Sequence, residues 1–181
     1  MPDAVEIVDY DPAWVAVFTA LGRTLRESLG DIALRIDHIG STAVPGLAAK
    51  PIVDVQISVH SLEPGDGFLV PLRALGYVYR ADNPERTKRY FREPPGQRRT
   101  HLHVRRAGSF AEQFPLLFRD YLRSHSAAAD EYAAVKRRCA QRFRHDRQGY
   151  VEAKDTFVWQ LIRQADGWAQ QVGWQPGPSD A

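Results

Sequence analysis

His38-Ile39-Gly40-Ser41-Thr42-Ala43-Val44-Pro45-Gly46-Leu47-Ala48-Ala49-Lys50-Pro51-Ile52-Val53-Asp54-Val55-Gln56 is the stretch that decides the fold. An apolar run ends in a Gly-Ser turn, Pro45-Gly46 marks a bend, and a second apolar run carries one aspartate. The pattern predicts a short strand over 34–39 and a strong one over 51–59. Alternate residues of a strand share a face. Ile52, Asp54, Gln56 and Ser58 therefore point one way, and Val53, Val55, Ile57 and Val59 point into a core. An acid in so apolar a strand is costly unless it is paired, hydrogen-bonded or bound to a metal. Asp54 is thus either a functional group or a structural anchor, and both readings stand at this point. The glycine lets the chain turn tightly and lets an anion approach the backbone. Ser41 adds a hydroxyl donor.

Upstream, Asp11-Pro12 can open a helix. Trp14, Val17, Phe18, Leu21, Leu25 and Leu29 follow at helical spacing, and Gly30 ends the run. Downstream, 66–75 reads as a helix stopped by Gly76. Residues 77–80, 89–93 and 100–105 read as strands separated by Asn83-Pro84 and Pro94-Pro95-Gly96 turns. Beyond Ser109 the period becomes helical over 110–123, 127–144 and 149–171. The order predicts an α+β fold, a mixed α/β half over 5–108 and a helical half over 109–173. Residues 1–173 form one domain, and 174–181 are expected to be a disordered tail.

His101 and His103 lie two apart on a predicted strand, so both imidazoles face one side. Neutral imidazole is a common transition-metal ligand. Two ligands are insufficient, and Asp54 or His38 can supply a third. The competing reading is a pair of satisfied histidines on a half-buried sheet. Lys50, just before the second strand, can reach a bound phosphate or lie on the surface. Tyr150 and Lys154 share a helix face, which usually means packing. Cys139 reads as a small packing residue.

Composition narrows the classes. The chain has 181 residues, with 24 basic and 22 acidic groups and a net charge of +2. Overall charge does not call for a polyanionic partner. Only Lys50, Lys88, Lys136 and Lys154 are lysines; the other basic residues are arginines, crowded around 88–106. One cysteine excludes an internal disulfide and a multi-cysteine zinc site. No apolar run is long enough to span a bilayer, and no signal peptide is visible, so the expectation is a soluble cytoplasmic protein.

The run HIGSTAVPGLAAKPIVD resembles the signature of the GrpB family of small bacterial proteins. The likeness continues through Tyr10-Asp11-Pro12, Leu75-Gly76-Tyr77, Arg99-Thr100-His101-Leu102-His103-Val104, 118–123, Tyr132-Ala133 with Lys136, and 150–154. It covers residues 5–165. The resemblance implies a fold like that of the DNA polymerase beta-type nucleotidyltransferases, a small mixed sheet with helices. In that superfamily a Gly-Ser turn receives nucleotide phosphates, and paired acids on the next strand hold magnesium. Mapped here, Gly40, Ser41 and Thr42 match the turn and Asp54 the first acid. Gln56 stands in place of the second acid, and the His101–His103 strand in place of a third.

Three functional readings follow from the residues and the resemblance together. The first is nucleotidyl or phosphoryl transfer, with Asp54 catalytic and Gly40, Ser41, Thr42, Lys50 and Arg99 holding phosphate. In it Asp54, Gln56, His101 and His103 hold magnesium or a softer ion such as manganese or zinc. The second is a nucleotide- or phosphate-binding module that has lost catalysis with its second acid. The third is a metal-dependent hydrolase or lyase built on Asp54, His101 and His103. The expected partner is a small nucleotide or phosphorylated molecule rather than a membrane or a nucleic acid.

Overall fold

The structure, a computed structural model, describes residues 4–181. Helix α1 (Ala13–Leu29) begins where the Asp11 carboxylate accepts from the Ala13 N–H at 2.9 Å. Trp14, Phe18, Leu25 and Leu29 form its buried stripe. Strands β1 (Arg35–Ile39) and β2 (Val53–Val59) follow, then helix α2 (Asp66–Ala74). Strands β3 (Val78–Tyr79), β4 (Lys88–Arg92) and β5 (Thr100–Arg106) complete the sheet. Helices α3 (Phe110–Ser124), α4 (Ser126–Arg142) and α5 (Arg147–Val172) make up the second half. This is the expected α+β order, with every element end within two residues of its predicted place.

The sheet runs β1-β2-β5-β4-β3. Only β2 and β5 are parallel; the register sets Asp54 beside His101 and Gln56 beside His103. Val53, Val55, Ile57 and Val59 are buried against α1 and α2, as the alternation predicts. Each contributes roughly 1.5–3 kcal/mol by burial. A slip of one residue would lose this and drive Asp54 into the core, so the pattern pins the register.

On the opposite face, α3 covers one end of the sheet. Pro115 has no N–H, which leaves the Ala111 carbonyl without its helical donor. Arg105 fills the gap at 2.7 Å. Glu112 accepts from Ser58 Oγ at 2.7 Å and from the Gly108 N–H at 3.0 Å. A second core joins α3, α4 and α5 to the loop after the Gly-Ser turn, through Val44, Leu47 and Ala48. That loop ties the two halves together and places the turn between them. Among the described residues no helix is long and apolar enough to cross a membrane.

The tail departs from expectation. Residues 177–181 run along the free edge of β1 instead of being disordered. The Ile36 N–H donates to Ser179 Oγ at 2.8 Å, and the Ala181 N–H donates to the Ile36 carbonyl at 3.1 Å. Asp180 accepts from the His38 N–H at 2.9 Å and from Arg119 at 2.8 Å. An open strand edge carries unpaired backbone groups, and a Gly- and Pro-rich segment can satisfy them without helical or strand periodicity of its own.

Candidate functional site

The Gly-Ser turn packs directly on Asp54. Gly40 has φ 72° and ψ −170°, and Ser41–Ala43 continue as a short 3-10 turn. A Cβ at position 40 would sit 2.9 Å from Asp54 Oδ2. Glycine is required there twice, by the backbone angle and by the carboxylate.

Asp54 Oδ1 lies 3.2 Å from His101 Nδ1 and 3.0 Å from His103 Nε2. The three ligand-type atoms fall within 4.8 Å of one another, the only such group of three among the described residues. Burial pushes the Asp54 carboxyl up, but the hydrogen bonds from both imidazoles outweigh it and hold it well below the usual carboxylate range. Burial pushes the His103 imidazole down to about 4, against the pull of Asp54. An ion held between these three groups would take the place of the N–H protons that the facing nitrogens give to Asp54. Tyr90 packs against both rings, and the outward nitrogens, His101 Nε2 and His103 Nδ1, are buried without partners.

Two sequence candidates for the metal are placed elsewhere. Gln56 Oε1 accepts from Arg105 at 3.2 Å, and its Nε2 donates to the Glu112 carbonyl at 2.9 Å. Its amide is fully committed beneath α3. His38 pairs with Val55 and shares that residue's face, opposite Asp54. It stacks on Phe18 at 4.8 Å, lies 3.0 Å from Thr42 Oγ1, and is pushed by burial down to about 4. The paired-magnesium arrangement therefore does not fit: magnesium favours several oxygen ligands, and only one carboxylate is here. Two imidazoles and one carboxylate fit a single borderline ion such as zinc or manganese.

A cleft of about 250 Å³ opens beside Asp54 and His101, walled by Ser41, Lys50, Tyr132, Lys136, Arg147 and Lys154. Lys136 Nζ donates to Ser41 Oγ at 2.9 Å and to the Ala48 carbonyl. Burial, then Lys154, Arg137 and Lys50, push this amine down to about 7. Burial and the charge of Arg147 push Lys50 down to about 8, and burial lowers Lys154 as well. Lys50 and Lys154 both lie over the Tyr150 ring, and Lys136 lies over Tyr132. The cleft thus sets four basic side chains against one carboxylate.

The structure thus brings Gly40, Ser41, Lys50, Asp54, His101 and His103 together. Thr42 lines the cleft, but its hydroxyl faces His38 and the Ile52 carbonyl. Arg99 sits ahead of β5 with its Nε 3.8 Å from Glu93, outside the cleft wall. Arg89 pairs with Glu63. Beside Lys50, the cleft takes its charge from Lys136, Arg147 and Lys154 in place of Arg99. The one sequence signal for two of them is the scarcity of lysine in a chain so rich in arginine; three of the four lysines line this cleft.

Residues 4–164 match the family described as GrpB protein. The crystal structure of the conserved protein GrpB from Enterococcus faecalis superposes with a TM-score of 0.82 at 33% identity, covering 90% of this chain and 99% of that one. A dephospho-CoA kinase of Mycolicibacterium paratuberculosis is 36% identical over 198 residues, 95% of this chain and 48% of the kinase. The chain spans about half the length of the first curated relatives it matches. A cytoplasmic RNA terminal U-transferase shares the fold, with a TM-score of 0.52 at 17% identity over 71% of this chain and 41% of that one.

Proposed function

The chain belongs to the GrpB family, and from that premise we propose that it is a single-metal phosphoryl or nucleotidyl transferase acting on a small phosphorylated molecule. One observation carries the reading: Asp54 Oδ1 sits between two imidazole nitrogens at the edge of a cleft lined by Lys50, Lys136, Arg147 and Lys154. The nucleotidyltransferase-like fold and the kinase named among the relatives make nucleotides and coenzyme A precursors the ligands to try first.

Asp54, His101 and His103 would hold the ion. When bound, it supplies Lewis-acid neutralisation of charge on a phosphoryl oxygen. The rest is work for the chain's own groups. Ser41 offers its hydroxyl to a phosphate oxygen at the turn, where Gly40 allows close approach. Lys50 and Lys154 hold the anion and stabilise the charge of the leaving phosphate in a partly dehydrated cleft. Tyr132 and Tyr150 wall the cleft and limit water.

The test is metal content and thermal shift of tag-free protein with nucleotides and coenzyme A precursors, with and without Mg²⁺, Mn²⁺ and Zn²⁺. The expected result is one transition-metal ion per chain, lost in Asp54→Ala, and ligand stabilisation that requires the ion. Wild type that takes up no metal would sink the proposal. The engagement of Gln56 by Arg105 favours a second reading, a phosphate-binding module without turnover. It predicts ligand stabilisation that survives a chelator.

A further inference from the structure

We propose that Ser41 and Lys136 form a nucleophile and base, so that the transferred group passes through a covalent phosphorus bond to Ser41 Oγ. This rests on the reading of the cleft as a phosphorylated-ligand site and adds the residue that attacks.

The pair is built from distant parts of the chain. Ser41 opens the turn against Asp54, and Lys136 reaches it from the middle of α4, 95 residues away, to 2.9 Å. Lys136 is 3% exposed. The groups that face it are Lys50 from the loop before β2, Lys154 and Tyr150 from α5, Tyr132 and Arg137 from its own helix, and Asp54 across the cleft. Among the described residues no carboxylate pairs with it. As a tether alone, a buried ammonium among cations is a poor choice, because desolvation and repulsion both oppose it. As a neutral amine it fits the contacts well. Nζ donates to the Ala48 carbonyl and to Ser41 Oγ, and loss of its proton leaves a lone pair within reach of the Ser41 hydroxyl at the same 2.9 Å. Burial and the neighbouring cations lower the amine to about 7, so that a share of it is neutral at neutral pH.

In the first step Ser41 Oγ bonds to phosphorus, and its proton passes to Lys136 Nζ. The bond from phosphorus to the leaving oxygen breaks, and phosphate or pyrophosphate departs as the anion. In the second step an acceptor hydroxyl or water bonds to phosphorus and the Oγ–P bond breaks. Lys136 returns its proton to Ser41, and the acceptor's proton goes to solvent.

Diisopropyl fluorophosphate tests the pair without knowledge of the substrate. Attack by Ser41 forms the Oγ–P bond and expels fluoride, and the adduct is located by peptide mass spectrometry. The expected result is modification of Ser41 at a rate that rises as pH passes through about 7, with or without EDTA. The rate should fall about a hundredfold or more in Lys136→Met and Lys136→Arg, the usual weight of a general base. Arginine keeps the cation and the donor, so a mere tether would survive that change; the melting point of each variant establishes that it is folded. Absence of the Ser41 adduct in wild type, or an unchanged rate in Lys136→Arg, overturns the proposal. Labelling in protein that takes up no metal leaves the pair standing while the metal reading falls.

Discussion

Gly40→Ala is the most informative single change, because it loads strain and a steric contact onto the same carboxylate. At φ 72° and ψ −170° the backbone occupies a region that side chains avoid, at a cost of about 1–3 kcal/mol. The new methyl would stand 2.9 Å from Asp54 Oδ2 and 3.3 Å from Asp54 Cβ. The Asp54 backbone cannot retreat, since it is paired with Ile39 on one side and His101 on the other. The carboxylate must therefore turn, which loosens its contacts to His101 and His103. Charge-assisted hydrogen bonds of this kind are worth about 1.5–3 kcal/mol. A total near 3 kcal/mol, in a chain of this size, lowers the melting point by about 6–12 °C. Gly46→Ala is the control. Its φ is 80°, yet nothing lies within 4 Å of the added methyl, so it meets only the backbone cost. The assay is thermal unfolding by circular dichroism, beside zinc titration against a chromophoric chelator. Gly40→Ala should lose more stability than Gly46→Ala and alone should bind zinc more weakly. Equal losses with equal zinc affinity would refute the argument from contact.

Other outcomes follow from the same geometry. His38 has its folded pKa lowered to about 4 from 6.5, so the unfolded chain takes the proton first. Its contribution is complete above pH 6.5 and lost as pH falls toward 4, and urea unfolding across that window should show a shallower decline in His38→Gln. Gln56→Glu should not create a second metal site, because Arg105 holds that side chain and the Glu112 carbonyl opposes it. Metal analysis should still give no more than one ion per chain, and urea unfolding a loss of about 1–3 kcal/mol. Asp180→Ala removes a partner from the buried Arg119 and from the His38 N–H, and should cost about 2 kcal/mol in the same unfolding measurement.

The helices and strands were legible because each carries its own period. The stripe of Trp14, Phe18, Leu25 and Leu29 and the alternation of Val53, Val55, Ile57 and Val59 are local facts that tertiary packing then used. The turn at Gly40 and the acid at Asp54 were legible for a similar reason: each is the wrong residue for its setting unless something requires it. The tail was misread because edge pairing to β1 leaves no periodic trace in Gly- and Pro-rich sequence.

Sequence by itself determined the elements, the face on which Asp54 lies and the common side shared by His101 and His103. Those properties depend on residues two to four apart. Tertiary structure alone decided that β5 runs parallel beside β2, which turns two separate motifs into one group of three ligand atoms. It also decided that Arg105 takes the amide of Gln56, that His38 turns to Phe18, and that Lys136 spans 95 residues to reach Ser41. Strand order and helix docking are set by the burial of whole faces against one another, a sum over distant residues that no local spacing encodes.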